Sequence, residues 1–170
     1  MYAMLQNNGF TGLEIAPGLL FSSEADPFNP SDQAIRNVYS ELESFNLEII
    51  SMQSLLYGKE DALLFGNDKQ QKNFFNGIVA AINLAERLHI SNIVFGSPLN
   101  RNVSKDMDKM IARDIALETF SQLGLLASRA GVSILIEPNP KDYKTNFINS
   151  MNEAILFITE LQSPGLKAIL

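Results

Sequence analysis

The chain has 170 residues, 46% of them hydrophobic and 19% charged, a balance that fits one globular domain with a real core and excludes a disordered or fibrous chain. It contains no cysteine, which removes disulfide frameworks, thiolate metal sites and cysteine nucleophiles. A formal net charge of -6 sets the average field against phosphate backbones and anionic lipid heads, so neither nucleic acid nor a membrane is expected as a partner.

The opening MYAMLQNNGF lacks the basic start and apolar centre of a signal peptide, and no stretch reaches the ~18 to 20 apolar residues of a membrane span. A soluble, cytoplasmic protein is the expectation. The N-glycosylation pattern at Asn102-Val103-Ser104 then reads as accidental. The first residues have the character of a helix that leads into GLEIAP (Gly12 to Pro17), a short run suited to a buried strand. Within it the two-residue period turns Glu14 away from Leu13 and Ile15. Ile35, Val38, Tyr39, Leu42 and Phe45 follow helical spacing and predict the next helix. LEIISMQSL (Leu47 to Leu55) is the second strand-like run, closed by the polar Gln53 and Ser54. Phe75, Ile78, Val79, Ile82 and Ala85 form another helical stripe, at whose end stands His89, the single histidine. It reads as a helix-end residue rather than a ligand.

NIVFGSP (Asn92 to Pro98) is the third strand, and Arg101 follows in its loop. Ser104 is the predicted N-cap of a long helix that Gly131 ends, with Met107, Met110 and the helically spaced Phe residues read as core. VSILIEP (Val132 to Pro138) is the fourth strand. It delivers Glu137 at the point where an apolar run stops against Pro138-Asn139-Pro140, and the two prolines remove donors and fix the backbone. Ser150-Met-Asn-Glu153 has capping-box spacing before the apolar face of Ala154, Phe157, Ile158 and Leu161. LKAIL (Leu166 to Leu170) is the fifth strand.

Helix then strand, repeated, predicts an α/β fold with a parallel sheet wrapped by helices. Links before the strands (NNGFT, SFN, HIS, AG, SPG) are short. Those after them are longer and polar, which directs the search for a site to the carboxyl ends of the strands. The strand period of roughly 35 to 45 residues is compatible with a solenoid, an open doubly wound sheet or a closed barrel, but no tandem motif repeats. Five strands fill about two thirds of the ~250 residues that an eight-stranded barrel needs. Residues 1–170 are therefore expected to be a single partial β/α barrel domain, with about five of eight strands.

GFTGLEIAP, LEIISMQSLLYG, NIVFGSPLNR and ILIEPNPKDYKTNFI, in that order and spacing, resemble the xylose-isomerase-like barrel superfamily of sugar and sugar-phosphate isomerases and epimerases, which also contains the AP endonuclease family 2. The resemblance aligns the chain with strands two to six of the barrel. It implies that Glu137 is a divalent-metal ligand (Mg, Mn, Zn or Co) and a proton-transfer group. Its partners in that family, an aspartate after strand six, a histidine on strand seven and a glutamate on strand eight, have no counterpart within the 170 residues. Gln53 stands near a point where some relatives carry histidine.

Candidate substrate-binding residues are Gln53, Arg101, Asn139, Tyr143 and Glu14. Gln53 is suited to sugar hydroxyls or is simple strand-end polarity. Arg101 suits a phosphate or carboxylate, or else makes a surface ion pair. Asn139, Tyr143 and Asn146 suit a polyol or are ordinary loop chemistry, and Glu14 is a second acid near the site or a structural carboxylate. The leading expectation is metal-assisted isomerisation or epimerisation of a small sugar or hydroxy-carbonyl compound. A non-catalytic partial barrel that self-associates is the alternative, and abasic-site endonuclease chemistry, which needs several histidines, is a more distant one.

Overall fold

The structure, a computed structural model, describes residues 1–169, so Leu170 of the predicted fifth strand lies outside the described residues. Five strands, β1 (Gly12–Ile15), β2 (Glu48–Met52), β3 (Asn92–Phe95), β4 (Ser133–Ile136) and β5 (Leu166–Ala168), form one parallel sheet in the order β1-β2-β3-β4-β5. Among the described residues six α-helices accompany them: α1 (Tyr2–Asn7), α2 (Pro17–Leu20), α3 (Asp32–Ser44), α4 (Asp68–Arg87), α5 (Lys109–Arg129) and α6 (Met151–Leu161). Each strand is three to five residues long, so the polar ends of the predicted runs lie in the loops. Gln53 and Ser54 follow β2, and Gly96 and Ser97 follow β3.

One residue with positive φ stands between each strand and the helix before it: Gly9, Asn46, His89, Gly131 and Gln162, with φ of 78°, 52°, 51°, 70° and 47°. The next amide after four of them reaches back five residues, as Phe10 to Leu5, Leu47 to Leu42, Ile90 to Ala85 and Val132 to Ala127 at 2.8–3.1 Å. This is the Schellman closure, which satisfies carbonyls the helix leaves without partners and turns the chain directly into a strand. It explains why the links before the strands are short. His89 occupies such a turn, where histidine is one of the better tolerated L-residues.

Alternate strand residues Ile93, Phe95, Ile134 and Ile136 pack under the helices. Phe74 (α4), Phe95, Phe120 (α5), Phe157 (α6), Phe147 and Phe65 continue that core as a chain of edge-on ring contacts with centroids 5.1–6.2 Å apart. The other strand face carries Val94 and Leu135, paired in register, with Lys167 beside Leu135 on β5. Val94 and Leu135 are buried but stand apart from the main core. On the same face Ile50 is 52% exposed, beside a β-bulge that makes Glu14 pair with Ser51 instead of Ile50.

Four expectations are corrected. Asp108, not Ser104, caps α5: its Oδ1 accepts from the Met110 and Ile111 amides, while Ser104 Oγ accepts from Asp106 one turn earlier. Met110 is 74% exposed, because a start at Lys109 puts it on the outer face, whereas Met107 does pack against the core. In α4 the innermost aromatic is Phe74, fully buried, with Phe75 only half-buried, one step round the helix from the predicted stripe. Ser150 caps α6 through the Glu153 amide, but the Glu153 carboxylate reaches back to Asn149 rather than to Ser150.

Candidate active site

The carboxyl ends of the strands open into a cleft of about 560 Å³. Glu14, Gln53, Glu137, Asn139 and Tyr143 all line it, so all the residues singled out in the sequence except Arg101 and Asn146 meet in one place. Glu137 reaches it because β4 has one further ladder bond to give: the Glu137 amide donates to Phe95 O at 3.1 Å, and Pro138 then ends the ladder. Its carboxylate lies against the end of β3. A Cβ on Gly96 would stand 2.5 Å from Glu137 Oε2, so only glycine lets the side chain take this position. Asn139 Nδ2 donates to the same Oε2 at 3.1 Å.

Arg101 is not on the wall of the cleft. It is fully buried beneath the loop, where Nη2 donates to the Glu137 carbonyl at 2.7 Å and to Asn139 Oδ1 at 2.8 Å. The guanidinium thus fixes Asn139, and Asn139 in turn holds the Glu137 carboxylate. Neither a substrate anion nor a surface ion pair is within its reach in this position. The ring of Phe95 lies 5.4 Å from the guanidinium carbon. Burial lowers the Arg101 pKa from the ordinary guanidinium value to about 10, opposed by the Glu137 carboxylate, so the side chain remains a cation at neutral pH.

Arg101 Nε and Nη1 are buried without a hydrogen-bond partner, whereas several polar groups on the wall of the cleft are paired. Glu14 Oε2 accepts from Ser51 Oγ at 2.7 Å, and Ser54 donates to Gln53 Oε1 at 3.0 Å. Tyr143 is exposed at the rim, on a 3₁₀ turn of Lys141–Tyr143. Asn146 is elsewhere: its amide group pairs both ways with the Val103 backbone and clips two loops together.

Sequence reasoning missed Gly96, Asn100 and Asn149. Asn100 Nδ2 donates to Lys59 O and Ala62 O, which folds the long 53–67 loop over the cleft. Asn149 Nδ2 donates to Asn139 O and Thr145 O and ties down the far end of the Glu137 loop. The signal for these was their setting in Gly- and Pro-rich loops after strands, where a side-chain amide substitutes for backbone partners.

A hard divalent cation takes roughly six oxygen ligands. Among the described residues no three His, Asp or Glu side chains converge as a cage for one would require. The oxygen chemistry of Glu137 suits such an ion, but as one vertex of a larger set. His89 stands before β3, at the opposite end of the strands from the cleft.

The family model described as xylose isomerase-like TIM barrel matches residues 2–170. No curated protein matches the chain. Among solved structures, D-psicose 3-epimerase from Clostridium cellulolyticum H10, crystallised with D-tagatose, superposes with a TM-score of 0.75 at 18% identity, over 98% of this chain and 55% of its own. The 3-keto-D-glucoside 4-epimerase of E. coli gives 0.72 at 17% identity, over 98% and 60%. A xylose isomerase-like TIM barrel protein from Mycobacterium smegmatis, in complex with magnesium, gives 0.64 at 17% identity, over 98% and 53%. At these identities the likeness establishes the fold, and the chain spans little more than half the length of these three proteins.

Proposed function

The chain belongs to the xylose isomerase-like TIM barrel family, and we propose that it supplies the Glu137 side of an active site that isomerises or epimerises a small sugar or related hydroxy-carbonyl compound. The observation that carries this reading is the Gly96–Glu137–Asn139–Arg101 arrangement, in which a carboxylate is presented at a strand end by three separate restraints. Fixed orientation is what proton transfer and ligation both require.

Glu137 removes the proton from the carbon that bears a hydroxyl next to the carbonyl, and the C–H electron pair moves into an enediolate. Returning the proton to the former carbonyl carbon, as the hydroxyl proton passes to the former carbonyl oxygen, yields the isomer. Delivering a proton to the other face of the original carbon yields the epimer and calls for a second acid. Gln53, Asn139, Tyr143 and Glu14 offer donors and acceptors for the hydroxyls of a polyol. A divalent cation (Mg, Mn, Zn or Co) would polarise the carbonyl and hydroxyl oxygens when bound, with Glu137 as its ligand from this part of the fold. The epimerase and magnesium-complex relatives support this choice of substrate class and cofactor.

The test is the protein assayed against a panel of ketoses with and without divalent metal. Interconversion that falls about 10² to 10⁴-fold in Glu137→Gln supports the reading; an unchanged rate in that variant ends it. The second reading, a non-catalytic partial barrel that self-associates, draws on the exposed Ile50 and on outer strands β1 and β5, each of which has one partner among the described residues.

A further inference from the structure

A larger cavity, about 1000 Å³, lies on the other side of the Glu137 loop. Its walls are the stretch from Val103 to Lys109, the first turns of α5, the residues Asn146–Asn149 and the outer side of α6.

The floor is apolar. Phe147 and Phe157 meet edge-on at 5.6 Å, with Ala112 beneath and Leu156, itself 62% exposed, at the edge. The rim is cationic, which is unexpected in a chain of net charge -6: Lys105, Lys109, Lys141 and Arg113 all line it. Arg113 is paired with Glu160, and the Glu153 carboxylate is engaged by the Asn149 amide. Among the described residues, Lys105, Lys109 and Lys141 make no ion pair. The acids that alternate with them in sequence, Asp106, Asp108 and Asp142, do not line the cavity, and Asp108 is committed to the α5 amides.

We infer that this cavity is a second binding site, for an amphipathic anion: an apolar body against Phe147, Phe157 and Leu156, and a carboxylate or phosphate head among Lys105, Lys109 and Lys141. A free sugar does not fit this chemistry, because the floor offers little to its hydroxyls. A cation is repelled at the rim. The size is at the upper end of ordinary ligand sites, which suits a molecule larger than a triose or hexose. The proposal stands independently of the reaction assigned to the cleft.

The cavity and the cleft share a wall. Ile148 lines the cavity in a left-handed conformation, φ 59°, which a β-branched residue adopts only under constraint, and its carbonyl accepts from the Asn139 amide. An occupant therefore touches the segment that restrains Glu137.

The experiment is titration of the protein with octyl phosphate and with octanoate below their micelle concentrations, followed by calorimetry and by NMR shifts of Phe147 and Phe157. Octyl glucoside serves as the neutral control. Saturable binding that weakens at least 10-fold in the Lys109→Glu/Lys141→Glu variant and falls with added salt is the expected result. Both lysines are exposed, so the variant retains its fold. Whichever head group binds more tightly identifies the class of anion. No saturable binding, equal binding of octyl glucoside, or an affinity unchanged in the double variant overturns the proposal.

Discussion

Glu137 is held by its neighbours in a way that separates orientation from stability. The group a Cβ on Gly96 would strike is the far end of a flexible carboxylate, so Gly96→Ala displaces Glu137 Oε2 at little cost to the fold. The expected outcome is a melting temperature within a few degrees of wild type and a rate of sugar interconversion at least 10-fold lower. Arg101 behaves in the opposite way. Truncating it leaves the Glu137 carbonyl and Asn139 Oδ1 without their donor and a void beneath the loop, losses partly offset by release of a desolvated cation whose Nε and Nη1 have no partner, so Arg101→Ala should cost about 1 to 2 kcal/mol in urea unfolding. The pH dependence has a definite sign. A cation whose folded pKa is lowered to about 10 is penalised when protonated, and that penalty is constant until the pH approaches 10. Stability gained by releasing the proton appears only above about pH 10. The difference between wild type and Arg101→Ala should therefore be flat from pH 6 to 9.

Elements are set by caps and turns as much as by apolar stripes. Gly131 has φ 70° and open space where a methyl group would stand, with nothing within 4 Å, so Gly131→Ala measures the backbone penalty alone, about 1 kcal/mol in chemical denaturation. The helices and strands were legible because their apolar periods of 3.6 and 2 are local properties. Their ends were less so. Ser104 and Asp108 are both good capping residues, and only the tertiary position of the 103–107 stretch, clipped by Asn146 to Val103, decides that Asp108 starts α5. The Phe74 and Phe75 pair poses the same problem, since adjacent aromatics leave the rotation of α4 open by one step until β3 and α5 supply Phe95 and Phe120 as partners.

At the scale of the whole molecule the sheet is a section of a barrel with its inner face uncovered at Ile50 and lined by Val94 and Leu135. The exposed Ile50 and two outer strands that, among the described residues, have one partner each favour association. The 170-residue chain should sediment as an oligomer, and Ile50→Lys should shift it toward monomer; a wild-type monomer at all concentrations counts against association. The strand-end location of Glu14, Gln53, Glu137, Asn139 and Tyr143 was legible because a parallel α/β fold has one functional end, and the short and long links identify it. The burial of Arg101 was not, because its partners are a carbonyl and an amide 36 and 38 residues away that no local pattern brings together.

In the function proposed for this chain, Glu137 moves a proton at the carbon beside a carbonyl. Incorporation of deuterium from D₂O into a ketose at that carbon, measured by NMR with the protein and divalent metal present, reads this step directly. Wash-in by wild type that falls about 100-fold or more in Glu137→Gln is the predicted result. Wash-in at the same rate in both proteins would contradict it.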